Sequence, residues 1–145
     1  MDIFSTIDFV KDIAHQCGWD GTKTLENRKF LSDLKDLLTE WADIPFKKTL
    51  DHVESIKSHW EIYEVENDNN IIFIDCREPQ EIKRLCNTLN AKSVLIQRAD
   101  NENIPTSNHA DQNILNYNYD IIIDNNSNLE NLEARAIEFI EKDLA

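Results

Sequence analysis

The chain has 145 residues, 28 of them acidic and 15 basic, giving a formal net charge of −13. A surface this acidic argues against broad, non-specific binding to nucleic acid or to an anionic membrane, while leaving room for a small basic pocket. The length suggests one domain, and 41% hydrophobic residues are enough to build its core.

Three cysteines, Cys17, Cys76 and Cys86, are widely spaced and form no C-x-x-C pair. Free thiols in a reducing cytosol are the simplest reading, so the expected compartment is cytoplasmic. Met1 is followed by polar and charged residues rather than a secretory h-region, and no apolar run is long enough to span a bilayer.

The first half reads as helices. Ser5 with Asp8 three residues later has the spacing of a capping box. Ile7, Val10, Ile13, Ala14 and Cys17 follow helical spacing, and Gly18 supplies a stop. Thr24 can cap a second helix whose apolar stripe is Phe30, Leu31, Leu34, Leu37, Leu38 and Trp41. Pro45 suits the first turn of a third helix carrying Phe46, Leu50, Val53, Ile56 and Trp60. Residues 1–65 thus form a helical half, ending at the polar break Glu66-Asn67-Asp68-Asn69-Asn70.

Residues 66–145 read as a strand-helix core. Ile71–Asp75, Ser93–Gln97 and Tyr119–Asp124 hold continuous apolar runs, as expected of parallel strands buried on both faces. Pro79 opens a helix bearing Ile82, Leu85, Cys86 and Leu89. Ser127 is the expected cap of a last helix whose core face is Leu129, Leu132, Ala136, Ile137, Ile140 and Leu144. Residues 99–113 are a polar loop, long for a compact domain. The expected fold is α/β, with a short parallel sheet of about three strands and helices around it.

In open α/β sheets, ligands bind beyond the carboxyl ends of the strands. Arg77 and Arg98 follow the first two predicted strands and Asn125 follows the third. Two arginines at one sheet edge suggest an anion site, since the guanidinium fork matches phosphate oxygens; pairing with Glu78 or Asp100 is the structural alternative. The loop adds Asn108, His109 and Asp111. His109 with Asp111 makes a weak metal motif, and a solvated loop or a local cap suits the pair better.

Trp19 lies in the turn Gly18-Trp19-Asp20-Gly21, which a helix C-cap and a packed indole explain. Lys23 and Arg28 stand at the start of the next helix, where cations oppose the helix dipole and a bound phosphate would relieve the conflict. Lys47-Lys48 reads as solvated surface.

The run of motifs Gly18-Trp19-Asp20-Gly21, Arg28-Lys29-Phe30-Leu31, Cys76-Arg77-Glu78-Pro79, Leu95-Ile96-Gln97-Arg98, Ser107-Asn108-His109-Ala110-Asp111 and Tyr119–Asn125 resembles the phage and bacterial deoxynucleoside monophosphate kinase-like branch of the P-loop kinases. The similarity covers nearly the whole chain, in order. It implies ATP-dependent phosphoryl transfer to a nucleoside monophosphate with magnesium. It places Gly18–Arg28 on the monophosphate side and Arg77 at the substrate phosphate. Arg98 and Asn108–Asp111 fall at the base of the lid, and Asn125 near the nucleobase.

The departure is the P-loop. Its pattern G-x-x-x-x-G-K-[ST] needs glycines so that backbone N–H groups wrap the phosphates. Gly18 and Gly21 are the only glycines, and they cannot form it. Against the family pattern, the chain begins after the expected first strand, P-loop and first helix, leaving apolar sheet edges that Met1-Asp2-Ile3-Phe4 can partly cover. No catalytic residue is expected, and ATP and magnesium only where a P-loop comes from elsewhere. Three readings follow: a nucleotide-binding relative inactive alone; the C-terminal part of an active kinase; or an interaction or inhibitor protein reusing the fold. The expected partner is a nucleoside monophosphate or similar anion, with a homodimer or a protein covering the sheet edge as the alternatives.

Overall fold

The computed structural model describes residues 1–62, 70–98 and 113–143. It is a mixed α/β fold that divides into two compact units, the first running to Arg77 and the second beginning at Glu78.

The first unit opens with β1 (Asp2–Ser5), followed by α1 (Asp8–Gln16), α2 (Leu25–Ala42), α3 (Ile44–Ile62) and β2 (Ile72–Asp75). β1 and β2 pair in parallel, with Phe4 opposite Ile74 and Ser5 opposite Asp75. Parallel strands need a long crossover, and the three helices provide it. The opening residues therefore join the sheet as a full strand.

Val10 and Ala14 of α1 are completely buried, with Phe46 and Val53 of α3 nearly so. Thr49 is also buried, and its hydroxyl donates to the Pro45 carbonyl at 2.9 Å. These residues are the core of the unit. α2 contributes no fully buried residue. Leu31, Leu34 and Leu38 are half-buried. Leu37 and Trp41, expected in the core stripe, are 62% and 76% exposed. Their side of the helix turns outward, because one helix face suffices to meet its neighbours.

The helix ends follow local rules. Gly18 has φ +94° and closes α1. Its N–H donates to the His15 carbonyl, and the Trp19 N–H reaches back to Ala14 at 2.9 Å. Thr24 caps α2, its hydroxyl accepting from the Asn27 N–H at 3.1 Å. A single left-handed residue, Asp43, joins α2 to α3. Lys47, on the exposed surface as expected, donates from Nζ to the Ala42 carbonyl at 2.7 Å, complementing the negative end of α2.

The second unit contains α4 (Pro79–Leu89), β3 (Val94–Gln97), a 3₁₀ turn (Ile114–Asn116), β4 (Ile121–Asp124) and α5 (Leu129–Asp143). β3 and β4 are parallel, Leu95 facing Ile122 and Ile96 facing Ile123. Ile82 and Leu85 of α4 are its buried apolar residues. A polar latch aligns the strands: Asp120 accepts from the Ser93 N–H at 2.8 Å and from its hydroxyl at 2.7 Å. The Ser93 hydroxyl in turn accepts from the Asp120 N–H.

Four expectations differ from the fold. The strands form two sheets of two, not one of about three, because β1 supplies β2 with a neighbour and β3 pairs with β4. Asn128, rather than Ser127, caps α5: its side chain accepts from the Asn131 N–H at 3.0 Å, while Ser127 accepts from the Asn131 side chain. The α5 face expected to be core is largely open, with Leu129, Ile137 and Ile140 all more than half exposed. Buried-strand composition likewise does not bury β3 and β4, whose Ile96 and Ile122 are mostly exposed.

Gly18 gives a direct test of the helix stop. A Cβ there would meet no atom within 4 Å, so the penalty for Gly18→Ala is backbone strain alone. We expect a loss of about 1–2 kcal/mol in unfolding free energy, read from urea titrations; an unchanged midpoint would refute the assignment.

Candidate functional site

A cavity of about 390 Å³ opens at the carboxyl end of β1, between α1 and α3. That volume lies within the ordinary range of small-molecule pockets. Its aromatic wall is Phe4 and Phe9, with His52. The His52 ring meets Phe4 edge-on, centroids 4.6 Å apart. Lys48 places its ammonium 5.7 Å from the centre of the Phe9 ring, within cation–π range.

The floor is the turn between β1 and α1. Every backbone N–H of that turn is spent inside the protein. Ser5 N–H donates to Asp8 Oδ2 at 2.8 Å. Thr6 N–H donates to the Asp75 carbonyl at 3.1 Å. Ile7 N–H reaches the Ser5 hydroxyl at 3.5 Å. Half of the expected capping box is therefore present, the carboxylate reaching back, although the helix itself begins after Ile7 and not after Ser5.

Asp8 also accepts from Lys11 Nζ at 2.7 Å. Partial burial pushes the Asp8 carboxyl upward, but the bonds from Lys11 and from the Ser5 N–H outweigh it and hold the group below its ordinary value of 3.8. A negative charge at the first turn of a helix is favourable there as well.

These observations bear on ATP. A triphosphate held at a strand-to-helix turn needs free backbone donors. Here the N–H groups of Ser5, Thr6 and Ile7 are occupied and the Asp8 carboxylate stands beside them. Elsewhere Thr24 caps α2, Pro79 removes a donor from α4, and Asn128 caps α5. The turn between β1 and α1 does not fit a magnesium triphosphate. Among the described residues no group of three or more His, Cys, Asp or Glu side chains is arranged to hold a metal ion.

The residues expected from sequence fall in several places. Arg77 follows β2, whose last residue pairs with Ser5 at the mouth of the cavity. Arg98 follows β3 in the other sheet, so the two arginines do not share one sheet edge. Arg98 and Asn125 do share one, at the carboxyl ends of paired strands. The Asn125 N–H donates to the Gln97 carbonyl at 2.7 Å, and Gln97 Nε2 donates to Asp124 at 2.7 Å. Asn108, His109 and Asp111 lie outside the described residues.

The segment from Trp19 to Arg28 builds its own network. Asp20 Oδ1 accepts from the Thr22 N–H, the Thr22 hydroxyl and Asn27 Nδ2. It brings a carboxylate to the start of α2, near Lys23 and Arg28, both exposed. Trp19 tilts against His15 with ring centroids 4.7 Å apart, and its Nε1 is buried without a hydrogen-bond partner.

The cavity residues Phe4, Asp8, Phe9, Asp12, Lys48 and His52 were not expected to form a site: Asp8 reads from sequence as part of a capping box, Phe4 as cover for a sheet edge and Lys48 as solvated surface. One signal was available: Asp8 with Asp12, and Lys48 with His52, are each four apart and so share a helix face. Comparison with known proteins found no matching family model, curated protein or solved structure.

The lowered carboxyl of Asp8 has a pH signature. A group whose folded pKa is depressed stabilises the fold above its unfolded pKa, and loses that contribution as pH falls through the folded one. We expect Asp8→Asn to lower the thermal midpoint at pH 7, with the gap to wild type shrinking as pH drops below about 3.8. A gap constant from pH 7 to pH 2.5 would show that the carboxylate charge does not matter.

Proposed function

We propose that this protein binds a nucleoside monophosphate at the carboxyl edge of the β1–β2 sheet and does not transfer phosphate by itself. The observation that carries the reading is the cavity at the end of β1, about 390 Å³ in volume and lined by aromatic rings, with Arg77 two residues past the end of the paired strand. Ligands of parallel α/β sheets take this position. The nucleoside occupies the cavity and Arg77 serves the phosphate, the role that the resemblance to deoxynucleoside monophosphate kinases implies for it.

The lack of phosphoryl transfer follows from charge. Transfer depends on positioning the phosphates and stabilising the charge they develop. The sequence holds no Gly-rich loop with its Lys, and the turn that could stand in for one presents Asp8 instead.

Calorimetric titration with deoxynucleoside mono- and triphosphates tests both parts. We expect monophosphates to bind without any preference for the triphosphate, and no turnover with ATP. A charge-assisted bond to phosphate contributes roughly 1.5–3 kcal/mol, so Arg77→Ala is expected to weaken binding about tenfold or more. Arg135→Ala, on α5, is expected to be neutral. Turnover by clean protein, or equal effects of the two substitutions, would sink the reading.

A further inference from the structure

We infer that the cavity selects nucleobases carrying an exocyclic amino group over their oxo counterparts, with Asp12 as the residue that discriminates. The inference rests on the monophosphate reading and assigns the base, rather than the phosphate, to the cavity.

Three carboxylates line the cavity: Asp8, Asp12 and Asp51. Asp8 is matched by Lys11 at 2.7 Å, and Asp51 by Lys48 at 3.2 Å. Asp12 has no hydrogen bond or ion pair among the described residues, and neither has Ser55 on the facing helix. After these pairings the cavity retains the Asp12 carboxylate, the Ser55 hydroxyl and the His52 imidazole, which packs edge-on against Phe4.

An unspent carboxylate repels a phosphate and accepts hydrogen bonds only. The ligand portion that suits it is neutral or cationic and presents N–H donors. A flat portion suits a wall that includes Phe4 and Phe9, where His52 stands edge-on to Phe4 and Lys48 lies over Phe9. A nucleobase with an exocyclic amine meets both demands. The 4-amino group of cytosine and the 6-amino group of adenine donate to Asp12. The 4-oxo group of uracil and the 6-oxo group of hypoxanthine would set a carbonyl oxygen against the carboxylate. A site built to bond a donor rejects the analogue lacking it more strongly than an apolar pocket rejects a methylene. Asp12 lies on the surface side of the cavity, where water weakens the penalty, so a discrimination of about tenfold is expected rather than the larger ratios of enclosed sites.

Matched pairs make the test clean. dCMP and dUMP differ at the exocyclic group of C4 and the ring nitrogen beside it, and dAMP and dIMP differ in the same way at C6. Calorimetry on the full chain would compare these pairs, together with deoxycytidine and deoxyuridine, for wild type and Asp12→Asn. The carboxamide can donate as well as accept, so it tolerates an oxo group. The expected result is about tenfold tighter binding of the amino member of each pair, falling to about twofold or less in Asp12→Asn, with circular dichroism confirming that the variant is folded.

Equal affinity within each pair would overturn the inference while leaving the monophosphate reading intact. A preference that survives in Asp12→Asn would equally overturn it. If the nucleosides bind with the amino preference but the monophosphates gain nothing over them, the base assignment stands and the Arg77 phosphate role fails. Absence of binding by all six ligands would sink both.

Discussion

The fold of the first unit depends on one hydrogen-bonded knot, where the end of β1 meets the end of β2. Thr6 donates its N–H to the Asp75 carbonyl, Ser5 donates its hydroxyl to the same carbonyl at 3.3 Å, and Asp8 receives the Ser5 N–H. A strand of four residues has little pairing energy of its own. The knot adds three bonds at the point where the strand turns into α1. It sets the register that aligns Ser5 with Asp75, and it aims α1 so that Val10 and Ala14 reach the core against α3. The cavity is the space left above that turn.

The knot also decides the electrostatics of the site. Most anion sites at strand-helix turns use free N–H groups for the guest. In this chain the guest is internal, the carboxylate of Asp8. What remains for an outside ligand is a wall of rings, a hydroxyl and the carboxylate of Asp12. Arg77 lies two residues past the end of the neighbouring strand.

Much of the fold was legible from the residue pattern. Gly18 as a stop, Thr24 as a cap and Pro79 at a helix start are local signals, and local hydrogen bonding satisfies them. The three apolar runs at 72–75, 94–97 and 121–124 are strands because their β-branched residues fit extended backbone and helices separate them. β1 was not legible as a strand. Asp2-Ile3-Phe4-Ser5 is too short to show a period, and its strand character comes from a partner near residue 73. The division into two sheets was hidden for the same reason: continuous apolar runs say that strands are parallel, not which ones pair. Leu37, Trp41, Ile137 and Ile140 keep helical spacing yet remain exposed, because spacing assigns residues to a face without showing what that face meets. The candidate site was missed because its walls come from residues 4–12 and 48–55, far apart in sequence. Each half alone reads as an ordinary polar helix face.

Closure of β1 onto β2 also ties the cavity to the folding equilibrium of the unit. The wall built from Phe4, Phe9 and Asp12 exists only when the first residues of the chain are paired with Ile72–Asp75, and the unfolded chain has no such surface. Whatever occupies the space binds the closed form alone, and by mass action each occupied molecule is withdrawn from the unfolding equilibrium. Ligand affinity and the melting temperature are two readings of one linked free energy. Occupancy of the site can thus be followed through heat stability, without any chemical turnover to report it.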